Sequence, residues 1–229
     1  LEINGHRVLL DCGMFQGRRR EADRKNRTFP FQTDTLDAVA LSHAHIDHSG
    51  VIPMLYRQGY RGRVYCTPAT RDLCSVMLLD SANIQERDAE WMAKKQREYV
   101  APLYDEDDVF EAMKHFVAYP YGDRFEIAPD IFVTFQDAGH VLGSAMVVVD
   151  YKENGSQRRL LFTGDLGRCN MPLLNDPWAP DDADTVIMES TYGNRDHRPM
   201  EEMDERFAAV INETCERGGK VIIPSFALE

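Results

Sequence analysis

The stretch from Leu41 to Gly50 constrains the chain most, because it places three histidines and a carboxylate within six positions. In an extended segment, side chains at positions i and i+2 point the same way, so His43 and His45 can reach one point in space. Asp47 and His48 follow as the chain turns, and they can reach a second point close by. Neutral imidazole nitrogens and carboxylate oxygens suit zinc and similar divalent ions, so this stretch predicts a metal site.

The segments on either side place this stretch at the end of a strand. Leu36–Leu41 is apolar and predicts a short strand, whereas Ser49–Tyr56 predicts the start of a helix. A loop between a strand and a helix lies at the carboxyl end of the strand, where open α/β sheets place their ligands. A purely structural role would bury several polar rings that each need a partner, so we favour metal binding over packing.

The composition bounds the class of protein. The chain has 229 residues, of which 43% are hydrophobic, enough for one large globular domain. No apolar run is long enough to span a bilayer, and the first ten residues do not resemble a signal peptide. The five cysteines are scattered, odd in number and without a CxxC pair, which argues against a disulfide framework and against a thiolate zinc site. We therefore expect a cytoplasmic protein with no membrane association.

The charge pattern gives a mixed signal about nucleic-acid binding. The net charge of −12 is unfavourable for a nucleic-acid partner, but a local basic patch can still bind phosphate. The segment Gly17–Arg27 carries six basic residues against two acidic ones. It lies in the polar stretch Gly13–Pro30, which we interpret as a loop. The residues alone leave open whether this segment is a solvated loop or a phosphate-contacting patch.

The rest of the chain predicts both strands and helices. The predicted strands are Arg7–Leu10, Arg63–Cys66, Phe125–Ile127, Ile131–Phe135, Ala145–Tyr151, Arg158–Phe162, Thr185–Met188 and Lys220–Ile223. The predicted helices are Ala69–Glu98 (one or two helices), Asp105–Phe116 and Met200–Arg217. Asn154-Gly155 predicts a hairpin turn. This order fits two sheets that pack together and are covered by helices.

Two further motifs lie at the ends of predicted strands. His140 lies between Gly139 and Gly143, and glycines let the backbone approach a metal or a substrate closely. Asp165 lies between two glycines, where it is either a turn residue or a carboxylate that bridges two metals. Each motif is weak alone, but both share their place at a strand end with the first motif.

This combination of motifs resembles the metallo-β-lactamase superfamily. His43-x-His45-x-Asp47-His48 is similar to the HxHxDH signature of that superfamily. The run from Glu189 to Gly193 resembles the acidic motif of its β-CASP branch, which includes RNase J-like and polyadenylation-factor-like ribonucleases. The resemblance covers nearly the whole chain. It implies an α/β fold, an αββα sandwich of two mixed sheets flanked by helices.

The resemblance also implies roles for the site residues. The ligands of the first metal ion would be His43, His45 and His140. The ligands of the second ion would be Asp47 and His48, with Asp165 bridging both ions. The expected catalytic residues are Asp47, Asp165 and Glu189, of which Glu189 supports the site. Asp11 would brace the metal loop by hydrogen bonds.

The resemblance further implies that the fold is truncated at both ends. The family begins one hairpin earlier, so we expect an incomplete metallo-β-lactamase domain over residues 1–223. Pro224–Glu229 resembles the beginning of the inserted β-CASP domain. The last metal-ligating histidine of the family comes from beyond that point, so we expect this segment to bind the second ion weakly. We interpret His197 as a loop residue near the cleft rather than as a replacement ligand.

The implied function is metal-dependent cleavage of RNA phosphodiester bonds by a hydroxide that two zinc ions activate. Two alternatives stay open. A metallohydrolase of a small ester, lactone, thioester or amide would use the same metals, and the acidic net charge favours it. A non-catalytic RNA-binding subunit belongs to a different class, and the intact metal motifs disfavour it. RNA is thus the expected partner, and self-association into a homo-oligomer is left open.

Overall fold

The strands of the chain form two five-stranded sheets. The computed structural model describes residues 1–96, 100–196, 199–226 and 228. The chain divides into two units, Leu1–Glu189 and Ser190–Glu229. The strands are β1 (Glu2–Ile3), β2 (His6–Leu10), β3 (Ala38–Ala40), β4 (Arg63–Cys66), β5 (Phe116–Ala118), β6 (Arg124–Ala128), β7 (Ile131–Asp137), β8 (Ala145–Glu153), β9 (Ser156–Phe162) and β10 (Thr185–Ile187). All of them lie in the first unit.

The described helices connect and follow these strands. They are α1 (Arg19–Arg27), α2 (Ile46–Ser49), α3 (Ile52–Arg57), α4 (Pro68–Gln96), α5 (Glu106–Met113) and α6 (Met200–Glu216), and a short 3₁₀ helix spans Thr33–Thr35. Of these, α6 belongs to the second unit. No described helix combines the length and the apolar character that crossing a membrane requires.

Both sheets are mixed. The first has the order β1-β2-β3-β4-β5, in which β1 is antiparallel to β2 and the other neighbours are parallel. The second has the order β10-β9-β8-β7-β6, in which β10 is parallel to β9 and the other neighbours are antiparallel. The predicted α/β fold with two mixed sheets and flanking helices is therefore confirmed.

The main core lies between the two sheets. Val8 and Ala40 of the first sheet belong to one buried cluster with Val147 and Val149 of the second. The opposite face of β8 is also buried, because Met146 packs in a separate cluster. A strand covered on both faces needs apolar residues at successive positions, which explains the continuous apolar run at the start of β8.

Most predicted elements are present within a few residues of their predicted bounds. The hairpin between β8 and β9 turns at Asn154 and Gly155, whose φ angles are 50° and 80°. Positive φ at both central residues is the type I′ geometry that matches the twist of the flanking strands. The hairpin prediction is therefore confirmed, together with the register that pairs Glu153 with Ser156.

The predicted loop Gly13–Pro30 is wrong in part, because α1 lies within it. Two ion pairs at i,i+4 spacing stabilise this helix: Lys25 Nζ lies 3.0 Å from Glu21, and Arg27 Nη2 lies 2.9 Å from Asp23. The sequence has no apolar periodicity here, so a search for an apolar face overlooks a helix whose side chains are mostly charged.

The predicted helix start at Ser49 is also corrected. The chain forms two short helices, α2 and α3, which are separated at Gly50 and Val51. The backbone N–H of Val51 donates to the carbonyl of Cys12 at 3.1 Å, so it does not continue the α2 ladder. This break turns the chain sharply just after the metal motif.

The predicted strand Lys220–Ile223 is wrong, because the structure assigns no strand to these residues. Ile222 is 88% exposed and Ile223 is 61% exposed. A run of apolar residues forms a strand only where a neighbouring strand accepts its backbone hydrogen bonds. Among the described residues of the second unit, no strand is assigned that could pair with this segment.

Replacement of the N-cap of α5 should cost measurable stability. Asp105 Oδ1 accepts from the N–H of Asp108 at 3.0 Å, and Asp108 Oδ2 accepts from the N–H of Asp105 at 3.2 Å. Asp105→Ala is expected to lower the free energy of unfolding by about 1 kcal/mol and the Tm by about 2–4 °C in thermal melts. Asp107→Ala is the control, because Asp107 lies in the same turn without capping it. Equal losses in both variants would contradict the capping assignment.

Candidate metal centre

The predicted site residues lie just beyond the carboxyl ends of strands from both sheets. They are Asp11 after β2, His43 and His45 after β3, His140 after β7, Asp165 after β9 and Glu189 after β10. One backbone hydrogen bond joins the loops of the two sheets, from Ala145 N to Ser42 O at 2.8 Å. The fold thus brings together residues that are far apart in sequence, at the sheet edge where ligands bind.

Four of these side chains form a cluster. His43, His45, His140 and Asp165 each offer one ligand atom, and these atoms all lie within 4.8 Å of one another. His45 Nδ1 lies 3.0 Å from His43 Nε2 and 3.2 Å from His140 Nε2. Asp165 Oδ2 lies 3.7 Å from His140 Nε2 and 4.0 Å from His43 Nε2. The prediction that His43 and His45 reach one point is confirmed.

This spacing fits a metal ion. Ligand atoms about 2.0–2.1 Å from a tetrahedral zinc ion lie about 3.4 Å from one another. The four distances given above, 3.0–4.0 Å, bracket that value. The donor set of three imidazoles and one carboxylate also suits such an ion. These residues are therefore able to hold a divalent metal as a cofactor.

His48 lies beside the cluster rather than in it. His48 Nε2 lies 3.2 Å from Asp165 Oδ1, whereas Asp165 Oδ2 faces the histidine cluster. The two oxygens of Asp165 therefore face different groups of ligands, as a bridging carboxylate requires. Asp47 is exposed on α2. Its role and that of His48 in a second metal site stay predictions.

Asp11 fixes the orientation of two histidines. Its carboxylate accepts from the N–H of Ser42 at 2.6 Å, from the Ser42 hydroxyl at 2.7 Å and from His48 Nδ1 at 2.7 Å. Ser42 Oγ also lies 3.0 Å from His43 Nδ1. Since the single hydroxyl proton of Ser42 is donated to Asp11, His43 Nδ1 must be the donor to Ser42. His43 and His48 thus both present Nε2 towards the cluster.

Two glycines allow other backbone segments to press against the ligand loops. A Cβ atom at Gly13 would overlap the peptide group between Asp47 and His48, and a Cβ at Gly167 would overlap the peptide group between Gly139 and His140. In both places the contacted peptide immediately precedes a predicted ligand histidine. The close approach therefore fixes the backbone that carries each ligand.

The loop of His140 is held by hydroxyl groups. Ser144 Oγ accepts from the N–H of His140 at 3.0 Å. The carbonyl of Gly143 accepts from Thr67 Oγ1 at 2.7 Å and from Thr70 Oγ1 at 2.9 Å. Nothing in the local sequence around Thr67 and Thr70 indicates that their hydroxyls reach a loop of the other sheet. These residues and Ser42 are parts of the site that the sequence did not reveal.

Glu189 positions the loop of Asp165. Its Oε1 accepts from the N–H of Leu166 at 3.0 Å, and its own N–H donates to Thr163 Oγ1 at 3.4 Å. It therefore contacts the residues on both sides of the Gly164-Asp165 step. This contact suits the predicted supporting role, while its assignment as a catalytic residue stays a prediction. His197 lies outside the described residues.

The electrostatics favour the metal-binding protonation state at His43 and Asp165 and oppose it at His48. Burial, with the neighbouring imidazoles, lowers the pKa of His43 to about 2. A hydrogen bond from His48 lowers the pKa of Asp165 to about 2. Burial opposes charge on His48, but its hydrogen bonds to Asp11 and Asp165 raise its pKa to about 10. At neutral pH His43 is thus neutral and Asp165 is ionised, whereas a metal at His48 would replace a proton.

Comparison with known proteins identifies the family. The fold is similar to BJP-1, a subclass B3 metallo-β-lactamase of Bradyrhizobium japonicum, with a TM-score of 0.47 and 16% identity over 90% of this chain and 85% of that one. Residues 1–160 match the metallo-β-lactamase superfamily domain. Because this match covers more than half of its length, the chain belongs to the metallo-β-lactamase superfamily.

Two curated relatives narrow the comparison. Ribonuclease TTHA0252 of Thermus thermophilus is 41% identical over all of this chain, which spans 48% of that protein. Transcription termination factor FttA of Methanothermobacter thermautotrophicus is 38% identical over all of this chain, which spans 35% of that protein. The chain therefore spans half or less of the length of these relatives. They confirm the resemblance to the β-CASP ribonuclease branch.

A methyl group at Gly13 should displace the metal loop. Gly13→Ala and Gly17→Ala are both expected to lower the free energy of unfolding by about 1–3 kcal/mol, the first through overlap and the second through strain at positive φ. Only Gly13→Ala should also lower the metal content, because a Cβ at Gly17 contacts no atom within 4 Å. Elemental analysis of the purified variants, beside their thermal melts, checks this. Full metal content in Gly13→Ala would contradict it.

Loss of the Ser42 hydroxyl should weaken metal binding through His43. Ser42→Ala removes the acceptor that holds His43 Nδ1, so metal affinity should fall about 10–100-fold. Competition with a chromophoric chelator at fixed pH measures the change. Ser81→Ala is the control, because Ser81 lies on α4 and its hydroxyl accepts a hydrogen bond from the Tyr104 hydroxyl at 3.0 Å. Equal affinities in the two variants would show that the contact with Ser42 does not orient His43.

Proposed function

We propose that this chain carries the metal centre of a ribonuclease that hydrolyses RNA phosphodiester bonds with two zinc ions. The observation that carries the proposal is the position of Asp165 between the three-histidine cluster and His48. The names of the relatives, a ribonuclease and a transcription termination factor, support RNA as the substrate.

The metal ligands follow from this arrangement. In the proposal, the ligands of one zinc ion are His43, His45 and His140. The ligands of the other are Asp47 and His48, with Asp165 shared. Bound there, two zinc ions would lower the pKa of a water molecule and offset negative charge on the phosphate. The second ion is expected to bind more weakly, because the proposal gives it three ligand residues and gives the first ion four.

The other residues of the site act by orientation. Asp11 and Ser42 hold the ring of His43 so that Nε2 faces the cluster. Glu189 holds the backbone beside Asp165. Asp47 is an exposed carboxylate on α2, between Ile46 and His48, and in the proposal it orients the attacking water. A fixed arrangement of this kind lowers the cost of reorganisation during the reaction.

The alternatives from the sequence are less well supported. Hydrolysis of a small ester, lactone, thioester or amide would need the same cluster, but the relatives' names point to RNA. A non-catalytic RNA-binding subunit would not require a complete donor set. The chain spans half or less of the length of these relatives. The ribonuclease activity is therefore proposed for the whole protein. The domain bounds 1–223 and 224–229, cytoplasmic location and self-association also stay predictions.

Removal of the shared carboxylate tests the proposal. In the whole protein, Asp165→Ala should lower the rate of cleavage of end-labelled RNA and should lower metal content. The loss of rate should exceed the roughly 100-fold expected when a residue that only hydrogen-bonds a metal ligand is removed. A chelator should have the same effect on the unmodified protein. Asp181→Ala is the control, because Asp181 is an exposed carboxylate outside the cluster.

Three outcomes would contradict the proposal. Full activity in Asp165→Ala would show that the Asp165 carboxylate is not a ligand that the two zinc ions need. Cleavage that resists the chelator would exclude a metal-dependent reaction. Intact RNA, together with hydrolysis of esters or lactones by the metal-loaded protein, would favour the small-substrate alternative.

A further inference from the structure

Phe15 combines a fixed backbone with an exposed ring. Its N–H donates to Asn26 Oδ1 at 2.7 Å, and its carbonyl accepts from Asn26 Nδ2 at 3.0 Å. Asn26 is buried, with 6% of its surface exposed, whereas Phe15 is 56% exposed. A loose loop would not need a buried amide to hold both backbone groups of one residue. The structure therefore presents this aromatic ring to solvent on a rigid support.

Phe15 is connected directly to the metal loop. The preceding residue, Met14, donates its N–H to the carbonyl of Ile46 at 2.8 Å. Ile46 lies between His45 and Asp47, which are both predicted metal ligands. The ring thus follows immediately after a segment that pairs with the metal loop.

One cationic group lies over this ring, and two more follow it in sequence. Lys25 Nζ lies 5.3 Å from the centroid of the Phe15 ring, and it also pairs with Glu21 at 3.0 Å. Arg18 and Arg24 are exposed, and neither forms an ion pair with any residue that the structure describes. The helix α1 therefore presents positive charge beside the aromatic ring.

Two arginines of β9 are paired with carboxylates. Arg159 lies within 2.7 Å of Asp150 and 2.6 Å of Asp182. Arg158 lies 3.1 Å from Asp184. In a chain with a net charge of −12, cations without a paired carboxylate in the segment that follows Phe15 can still attract an anionic partner.

We propose that Phe15 and α1 form a platform for single-stranded RNA at the metal centre, in which Phe15 stacks on a base and Arg18, Arg24 and Lys25 contact phosphates. An aromatic ring flanked by cations is the chemistry that binds single strands, because every base offers a face for stacking. A duplex keeps its bases stacked internally and would not use the ring. The inference rests on the proposed ribonuclease function and specifies where its substrate binds.

Steady-state kinetics of the metal-loaded whole protein on end-labelled single-stranded RNA test the stacking contact. Phe15→Ala should raise KM roughly 5- to 100-fold with little change in kcat, because the contact binds substrate and transition state alike. Phe15→Trp should keep KM near its original value, because it preserves a stacking surface. Phe110→Ala is the matched control, because Phe110 is 53% exposed on α5, and it should leave KM unchanged.

Salt dependence tests the phosphate contacts. The slope of log(1/KM) against log salt concentration should become shallower by about 0.7 for each contact removed by Arg18→Ala or Arg24→Ala. Lys114→Ala, on an exposed cation just after α5, should leave the slope unchanged.

The outcomes separate this inference from the proposed function. If the unmodified protein cleaves RNA and Phe15→Ala has the same KM, the platform is overturned while the ribonuclease proposal stands. If Phe15→Ala loses metal, or Phe110→Ala raises KM equally, the platform is also overturned. If the unmodified protein neither cleaves nor binds RNA, both proposals fail. A higher KM in Phe15→Ala at full metal content, restored in Phe15→Trp, supports the platform.

Discussion

The convergence of three imidazole nitrogens on one point is the constraint on which the site depends. His43 Nε2 and His140 Nε2 lie 3.0 and 3.2 Å from the same atom, His45 Nδ1. The hydrogen bond to Ser42 leaves His43 Nε2 with a free lone pair, and one proton on His45 cannot serve both neighbours well. A divalent cation bound there would satisfy all three nitrogens and the Asp165 carboxylate at once. Hydrogen bonds to the nitrogen that faces away from the cluster, such as the one between His43 Nδ1 and Ser42, fix the orientation of the ligands. That fixed orientation would raise the affinity for a metal.

The fold meets this constraint by ending strands from two sheets at one place. Asp11, the histidines of the first motif, His140, Asp165 and Glu189 all follow strands. The contact between Ser42 and Ala145 joins the two groups of loops. Gly13 and Gly167 let neighbouring backbone press on the peptides that carry His48 and His140. Each device fixes backbone rather than side chains, so a small change in packing would be transmitted to several ligands together.

Local patterns predicted the parts of the structure that local physics determines. The i,i+2 spacing of His43 and His45 and the turn at Asn154-Gly155 both depend on neighbours in sequence, and both were predicted correctly. The contacts of Ser42 with Asp11 and of Thr67 with Gly143 join segments that are far apart in sequence, so local patterns do not predict them. The strand at Lys220–Ile223 was predicted from apolar residues alone and is absent, because a strand needs a partner. The helix α1 was missed because ion pairs rather than an apolar face stabilise it.

Anomalous diffraction at the zinc absorption edge, from crystals of the whole protein grown with zinc, tests the central claim most directly. The account predicts a peak about 2.0–2.1 Å from His43 Nε2, His45 Nδ1 and His140 Nε2, and a second, weaker peak beside His48 and Asp165 Oδ1. The absence of an anomalous peak within the cluster, with the three histidines hydrogen-bonded to one another or to water instead, would contradict the assignment of this site as a metal centre.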